Sequence, residues 1–285
     1  MILRVNGVEV NLENVTEDNY NQIVAYLNQQ LPRFAKNCDA VSDTFFYAIR
    51  LCPDANPSDL WHHIIYRQYL IAIIPTGRDP GQSWKRVGGD ALEEFFCNYY
   101  TPLLSINNIR LRWLLSKPEK KAALIAMGCS EVVGEAKLDT VLEGKINERY
   151  HIFGGAHIKT SLAERVSDDE PTSRAMKERG YFSPLLTLDM KSFPPPRARG
   201  QNTPTARTYI NIGELGTVES PTVKRKYIEN QGIFDDCYSY NLRTIPSNPQ
   251  TPSGKRVIVS NLNGQPDSFV SAVVEFWTNF RQNIR

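Results

Sequence analysis

The sequence predicts an α/β fold: helices first, then a central cluster of strands, then a closing helix. Three observations carry this expectation. Apolar residues recur at helical spacing through much of the chain before about position 100, and short β-rich runs follow from about 109 to 188. Near the end, PDSFVSAVVEFWTNF is amphipathic again.

Taken in order, LRV, Asn6-Gly7 and VEV form an Asn-Gly hairpin signal. Thr16 caps a helix through about Lys36, with Tyr20, Ile23, Val24, Tyr26 and Leu27 at helical spacing. Positions 43–51 read as a second helix. Ser58 and Asp59 behind Pro57 start a third, WHHIIYRQYLIAII, which Pro75 ends. TGRDPGQ reads as a turn before a helix over about 83–100. In that helix Gly88 and Gly89 each cost about 1 kcal/mol relative to alanine, which signals close packing or binding there. IRLRWLL is then a strand and 119–127 a helix. LDTVL and HIFGGAHIK, joined by the polar EGKINER, read as a hairpin. A helix over about 171–179 and the strand SPLLTLDMK follow. SFPPPRARGQNTPTART, with three consecutive prolines, is a loop, and CYSYNLRT and KRVIVSNL are further strands. Residues 1–80 are expected as a mainly helical subregion packed on a core formed by 81–285.

Composition narrows the function classes. The 285 residues are 41% hydrophobic and 22% charged, which describes an ordinary globular protein. No run approaches the roughly 18 apolar residues of a membrane span. The opening MILRVNGVEVNL lacks the features of a secretory signal, so a cytoplasmic protein is expected. Five cysteines without a CxxC spacing read as reduced, buried thiols. A net charge of +2 means that any DNA-binding surface is local.

Asp139 and Lys159 are the residues from which chemistry is argued. A hairpin sets an acid on its first strand across from a lysine that ends the second. A carboxylate holds a hard divalent cation, and an ammonium nearby orients a water and offsets charge on a phosphate. That is a minimal kit for metal-assisted phosphodiester hydrolysis, although such a pair by itself is most often only solvated. Strand alternation puts His157 on the same face as Lys159 and turns Ile158 to the core. A nuclease of the acid–x–Lys kind wants a carboxylate where His157 stands, so the second metal-binding oxygen comes from Glu93 or from Glu170. Glu94 is the neighbour of Glu93, and only one of the two can face inward. Glu164-Arg165, just beyond Lys159, suits a DNA groove, since arginine pairs with guanine and glutamate accepts from cytosine. His62-His63 and Trp84 read as packing rather than as a metal site or a base stack, and Lys224, Arg225 and Lys226 as a solvated helix face. Arg197, Arg199 and Arg207 either grip phosphates or ride on a loop that binds nothing specific.

Longer runs carry a resemblance. CPDANPSDLWHH (52–63), SW-x-R-x-x-G-x-A-x-E (83–93), K-x-SLAERVSDD (159–169), LD-x-KSFPPP (188–196), YSYNLRT (238–244) and TPSG (251–254) are similar to type II restriction endonucleases of the PD-(D/E)xK kind that cut sites with a CCGG core. The resemblance spans nearly the whole chain. It implies a restriction-endonuclease core, a central mixed sheet flanked by helices, with a helical N-terminal extension. It implies that Asp139, Lys159 and Glu93 form the active centre, with Glu93 replacing the carboxylate missing at His157, and that Asp139 and Glu93 hold Mg²⁺. It further implies that Arg86, Glu164, Arg165 and Lys191 read double-stranded DNA. A homodimer on a palindrome, ACCGGT cut after its first base, and a cognate methyltransferase in the same bacterial system complete the expectation. The rivals are a nuclease of relaxed specificity, such as a repair or junction-resolving enzyme, and a DNA-binding protein without catalysis.

Overall fold

The computed structural model describes all residues except 6–7, 135–137, 163–164, 191–207, 210–212 and 285; for 165–167 and 208–209 it describes only the backbone. β1 (Ile2–Val5) and β2 (Val8–Asn11) pair antiparallel. α1 (Glu17–Gln30) opens on Thr16, whose side chain accepts from the Asn19 N–H while Asn19 returns a bond to Thr16. α2 (Asn37–Leu51) starts earlier than its apolar pattern suggested. Asn56, rather than Ser58, caps α3 (Pro57–Asp59), which runs through a π-helical stretch, Leu60–Tyr66, into α4 (Arg67–Ile73).

α5 (Pro80–Ser105) is the long helix that positions the site. Asp79 accepts from the Gln82 N–H at 2.6 Å and Pro80 occupies the first helical position. The predicted turn therefore already contains the start of the helix. Gly88 makes room for its own helix's Trp84, since a Cβ there would stand 2.7 Å from the indole. Gly89 faces open space, with nothing within 4 Å of a would-be Cβ.

β3 (Ile109–Trp113), β4 (Thr140–Ile146) and β5 (Arg149–Gly154) form an antiparallel sheet, with α6 (Lys117–Ala126) between β3 and β4 in sequence. The β4–β5 turn places Asn147 and Glu148 at φ 47° and 62°, the left-handed pair a tight hairpin needs. The hairpin is real, but Lys159 is not on its second strand. The predicted strand breaks at Gly154-Gly155, where side chains would collide with backbone: a Cβ would lie 2.4 Å from Phe182 O at Gly154 and 2.9 Å from Thr140 O at Gly155. The chain resumes as β6 (His157–Lys159), which pairs in parallel with β7 (Leu185–Thr187). β8 (Thr208–Tyr209) joins β2. β9 (Cys237–Ser239) and β10 (Val257–Val259) complete a parallel ladder of order β10-β9-β7-β6.

α7 (Arg165–Glu178) begins before the predicted 171, with Pro171 inside it. α8 (Val223–Glu229) follows β8, and α9 (Ser268–Phe280) closes the fold by setting Phe269, Val273 and Trp277 into the core. One large apolar core draws on both Phe45 and Trp61 from the N-terminal helices and Phe95, Phe153, Tyr238 and Trp277 from the rest. Among the described residues, no helix is long and apolar enough to cross a membrane.

Candidate active site

α5 turns its consecutive glutamates to different surroundings. Glu93 Oε2 accepts from the Trp113 indole Nε1 of β3 at 3.1 Å. Burial pushes the Glu93 carboxyl up to about 8; the nearby Asp139 carboxylate adds to the rise and the Lys159 ammonium opposes it. Asp90, one turn earlier, and Lys120 of α6 act on it too. Glu94 looks instead into a groove shared with Lys36, Asp39 and Arg112. There burial, reinforced by Asp39, lifts it to about 7. Cys38, Asp39 and Glu94 bring three potential ligand atoms within 4.8 Å of one another, apart from Glu93 and Asp139.

Asp139 ends the connection into β4, its carbonyl fixed by the Leu114 N–H at 2.8 Å. Its carboxylate is held by Lys120 Nζ at 2.5 Å. Thr140 Oγ1 donates to Ala156 O at 2.5 Å, which brings the start of β4 alongside the start of β6. His157 and Lys159 do share a face. Lys159 Nζ lies 3.1 Å and His157 Nδ1 3.5 Å from the same oxygen, Oδ2 of Asp169 on α7. Ile158 is buried in the main core, as alternation requires. Burial alone would raise the Asp169 carboxyl, but His157 and Lys159 outweigh it and hold the group at about 2. His157 is built into the interior, with Nε2 3.0 Å from Ser183 Oγ and its ring edge-on to Phe234. Glu170 stands apart from this cluster and pairs with Arg174 at 2.8 Å.

Asp139 from the lead into β4 and Lys159 from the end of β6 thus both act electrostatically on Glu93 of α5. No family model matches the chain. It is 45% identical over 273 residues to the type II restriction enzyme AgeI of Thalassovita gelatinovora, covering 93% of this chain and 94% of that protein. Its fold matches the crystal structure of the specific restriction endonuclease AgeI–DNA complex with a TM-score of 0.88 at 43% identity, covering 97% and 99% of the two chains. The chain belongs to the type II restriction enzymes. Such enzymes are site-specific deoxyribonucleases, and the mixed α/β architecture is their restriction-endonuclease core. A looser likeness, TM-score 0.47 at 16% identity over 93% of this chain and 96% of the other, is to the pre-specific BsaWI–DNA complex.

In this restriction enzyme Arg86 lies two turns before Glu93 on α5 and lines a groove of about 560 Å³ with Lys36, Arg78, Gln82 and Asp90. Burial raises the carboxyl of Asp90, and the charge of Arg86 opposes that rise without cancelling it. Arg165 is the first residue of α7, and only its backbone is described. Glu164, Lys191, Arg197, Arg199 and Arg207 lie outside the described residues. Trp84 packs on Trp61, Tyr66 and Tyr69, and His62 and His63 are buried, with burial pushing their imidazoles down to about 3 and about 2. Of the basic trio on α8, Arg225 is fully buried and paired with Glu229, so that face is not simply solvated. Sequence reasoning passed over Asp169, Lys120 and Trp113. The SDDE run flagged acids beyond Lys159, yet only the earlier start of α7 selects Asp169 among them.

Proposed function

We propose that the chain hydrolyses both strands of double-stranded DNA at a palindrome with a CCGG core, ACCGGT cut after the first base, using Mg²⁺. The observation that carries this reading is the convergence of Glu93, Asp139 and Lys159. A carboxylate raised by burial and, next, by a neighbouring carboxylate suits a divalent cation, whose charge would favour the ionised form and offset the repulsion between the two acids. Asp139 and Glu93 would hold it. Magnesium, when bound, supplies Lewis acidity at the scissile phosphate.

The chain's own groups do the rest. Holding the ion would require Glu93 to be ionised and the Asp139 carboxylate to be free of Lys120, with which it is paired here. Asp169 fixes the Lys159 ammonium, which orients the attacking water, stabilises the hydroxide left when that water loses a proton to solvent, and screens the charge that grows on the phosphate. The water oxygen attacks phosphorus in line, the P–O3′ bond breaks, and the products are a 5′-phosphate with a 5′ overhang and a 3′-hydroxyl. Arg86, Glu164, Arg165 and Lys191 contact the base pairs. Two subunits related by a twofold axis present one active site to each strand. A cognate methyltransferase shields the same sites in the bacterial cytoplasm where both enzymes work. Residues 1–80 form a helical subregion on the nuclease core of 81–285.

Lys159→Ala tests the chemistry. Cleavage in Mg²⁺ is expected to fall by on the order of 10²–10³ or more, while gel-shift affinity in Ca²⁺ stays near wild type. Near wild-type cleavage by the variant would remove Lys159 from the active centre. Sequencing the ends of digested genomic DNA checks the site and the position of the cut.

A further inference from the structure

The carboxylate of Glu214 lies against the segment that joins Lys159 to α7. Its Oε2 accepts from the Leu162 N–H at 2.5 Å and from Ser161 Oγ at 3.1 Å. Lys224 Nζ stands 3.1 Å from the same oxygen, and the glutamate side chain is only 10% exposed. Leu162 is fully buried among Leu185, Leu215 and Phe234, so packing and the carboxylate pin the same short stretch. On its other side, the Glu214 N–H donates to Asp189 Oδ1 at 2.7 Å. Asp189 is itself buried, and Thr244 Oγ1 donates to its second oxygen at 2.6 Å. The approach of the two strands of chain is close. A Cβ at Gly213 would stand 2.1 Å from Asp189 Oδ2, and Gly213 sits at φ 79°.

Gly213-Glu214 therefore ties the two segments together just where the β6–β7 ladder runs out, past its last backbone bonds from Leu188 N–H to Lys159 O and from Met190 N–H to Thr160 O. One, Ser161-Leu162, ends two residues before Glu164. The other, at Asp189, ends two residues before Lys191. We propose that Glu214 is a positioning residue for sequence recognition, a strut that fixes the spacing between the segment carrying Glu164 and Arg165 and the segment carrying Lys191. The proposal rests on the reading in which those side chains contact bases. Hydrogen bonds to base edges demand placement within a fraction of an ångström, whereas phosphate contacts tolerate small shifts. A carboxylate that accepts from a backbone N–H and a hydroxyl makes strong charge-assisted bonds, suited to that constraint. Without it, the loop keeps its chemistry and loses its register on the bases.

The test compares binding, in Ca²⁺, to a duplex with an intact CCGG core and to one with a single core base pair changed. Glu214→Ala is expected to shrink the ratio of the two affinities by about tenfold or more, mainly by weakening the intact duplex. Glu214→Gln keeps an amide oxygen that can accept from Leu162 and Ser161, and it is expected to retain most of the ratio. Ser161→Ala removes one donor and is expected to shrink the ratio by a few-fold. If the wild-type enzyme itself shows no preference for CCGG, the recognition reading fails at that point. If the wild type discriminates and Glu214→Ala keeps its ratio, or loses both affinities by the same factor, the strut is overturned. A Gln variant as defective as the Ala variant overturns it too. Should Glu214→Ala not fold, the Gln and Ser161→Ala variants decide, and an unchanged ratio in Ser161→Ala counts against the proposal.

Discussion

Glu93 and Glu94 are neighbours in sequence, yet one meets Asp139 and Lys159 and the other meets Asp39 and Lys36. A 100° helical step decides which acid can share a metal. Glu170, the other candidate in the sequence, spends its charge on Arg174. Glu93→Ala is accordingly expected to abolish Mg²⁺-dependent cleavage, while Glu170→Ala costs at most about 0.5 kcal/mol of stability. Plasmid cleavage and urea unfolding of the two variants check this, and the opposite pattern would move the ligand to Glu170. Asp169 makes a different prediction. Its carboxyl is held at about 2, below the ordinary 3.8, so its contribution is fully present above pH 4 and is lost as pH falls toward 2. Asp169→Asn should lower stability at neutral pH by about 2 kcal/mol and flatten the acid limb of the stability profile between those values. Urea unfolding over a pH series measures it, and an unchanged acid limb would assign that limb to other groups. The acid and the lysine were legible in the sequence because strand chemistry and the longer runs singled them out. Asp169 and Lys120 were not, because they sit on helices whose rotation toward their partners no local pattern states.

At the level of elements, most strands and helices can be read from periodicity and punctuation. The differences have two sources. Helices start earlier than predicted where a first turn lacks large apolar side chains, as at Asn37 and at Asp79-Pro80, and α7 runs through Pro171, which reads locally as a helix start. The predicted hairpin extends too far because a glycine pair that switches a chain between sheets looks locally like strand. Glycines therefore make the sharpest prediction here. A methyl at Gly144 of β4 would lie 2.3 Å from the Trp277 indole, whereas one at Gly89 meets nothing. Gly144→Ala should destabilise the fold by about 1–3 kcal/mol through overpacking. Gly89→Ala should stabilise it by up to about 1 kcal/mol through helix propensity. Thermal or urea unfolding checks both, and a neutral Gly144→Ala would mean that α9 can step back from the sheet.

For the molecule as a whole, a net charge of +2 over 285 residues leaves DNA affinity to a local surface. The groove beside Arg86, the start of α7 and the segments near 191 are where that surface is proposed to lie. Removing a base reader and removing a phosphate grip then separate cleanly. Arg165→Ala should weaken binding to ACCGGT about a hundredfold or more, since a palindrome presents the arginine twice, with little effect on a scrambled duplex. Arg207→Ala should weaken both alike and lower the salt slope by about one for each phosphate no longer neutralised. Affinities for both duplexes at several salt concentrations test this, and an unchanged ratio in Arg165→Ala would remove it as a base reader. The shared core bears on the division at residue 80: Phe45 and Trp61 pack in the same interior as Phe95 and Trp277. The N-terminal helices thus help to hold α5, and through it Glu93, against the sheet.

The bond from Trp113 to Glu93 has an optical consequence. Trp61 and Trp277 are buried in the core and Trp84 is wrapped by aromatic rings, but the Trp113 indole N–H points at the carboxylate proposed to hold the metal. An indole's emission responds to the charge on the acceptor of its N–H. The enzyme thus carries a built-in fluorophore wired to its proposed active centre, through which proton loss and any cation binding at Glu93 would be read as colour and brightness, without DNA or turnover.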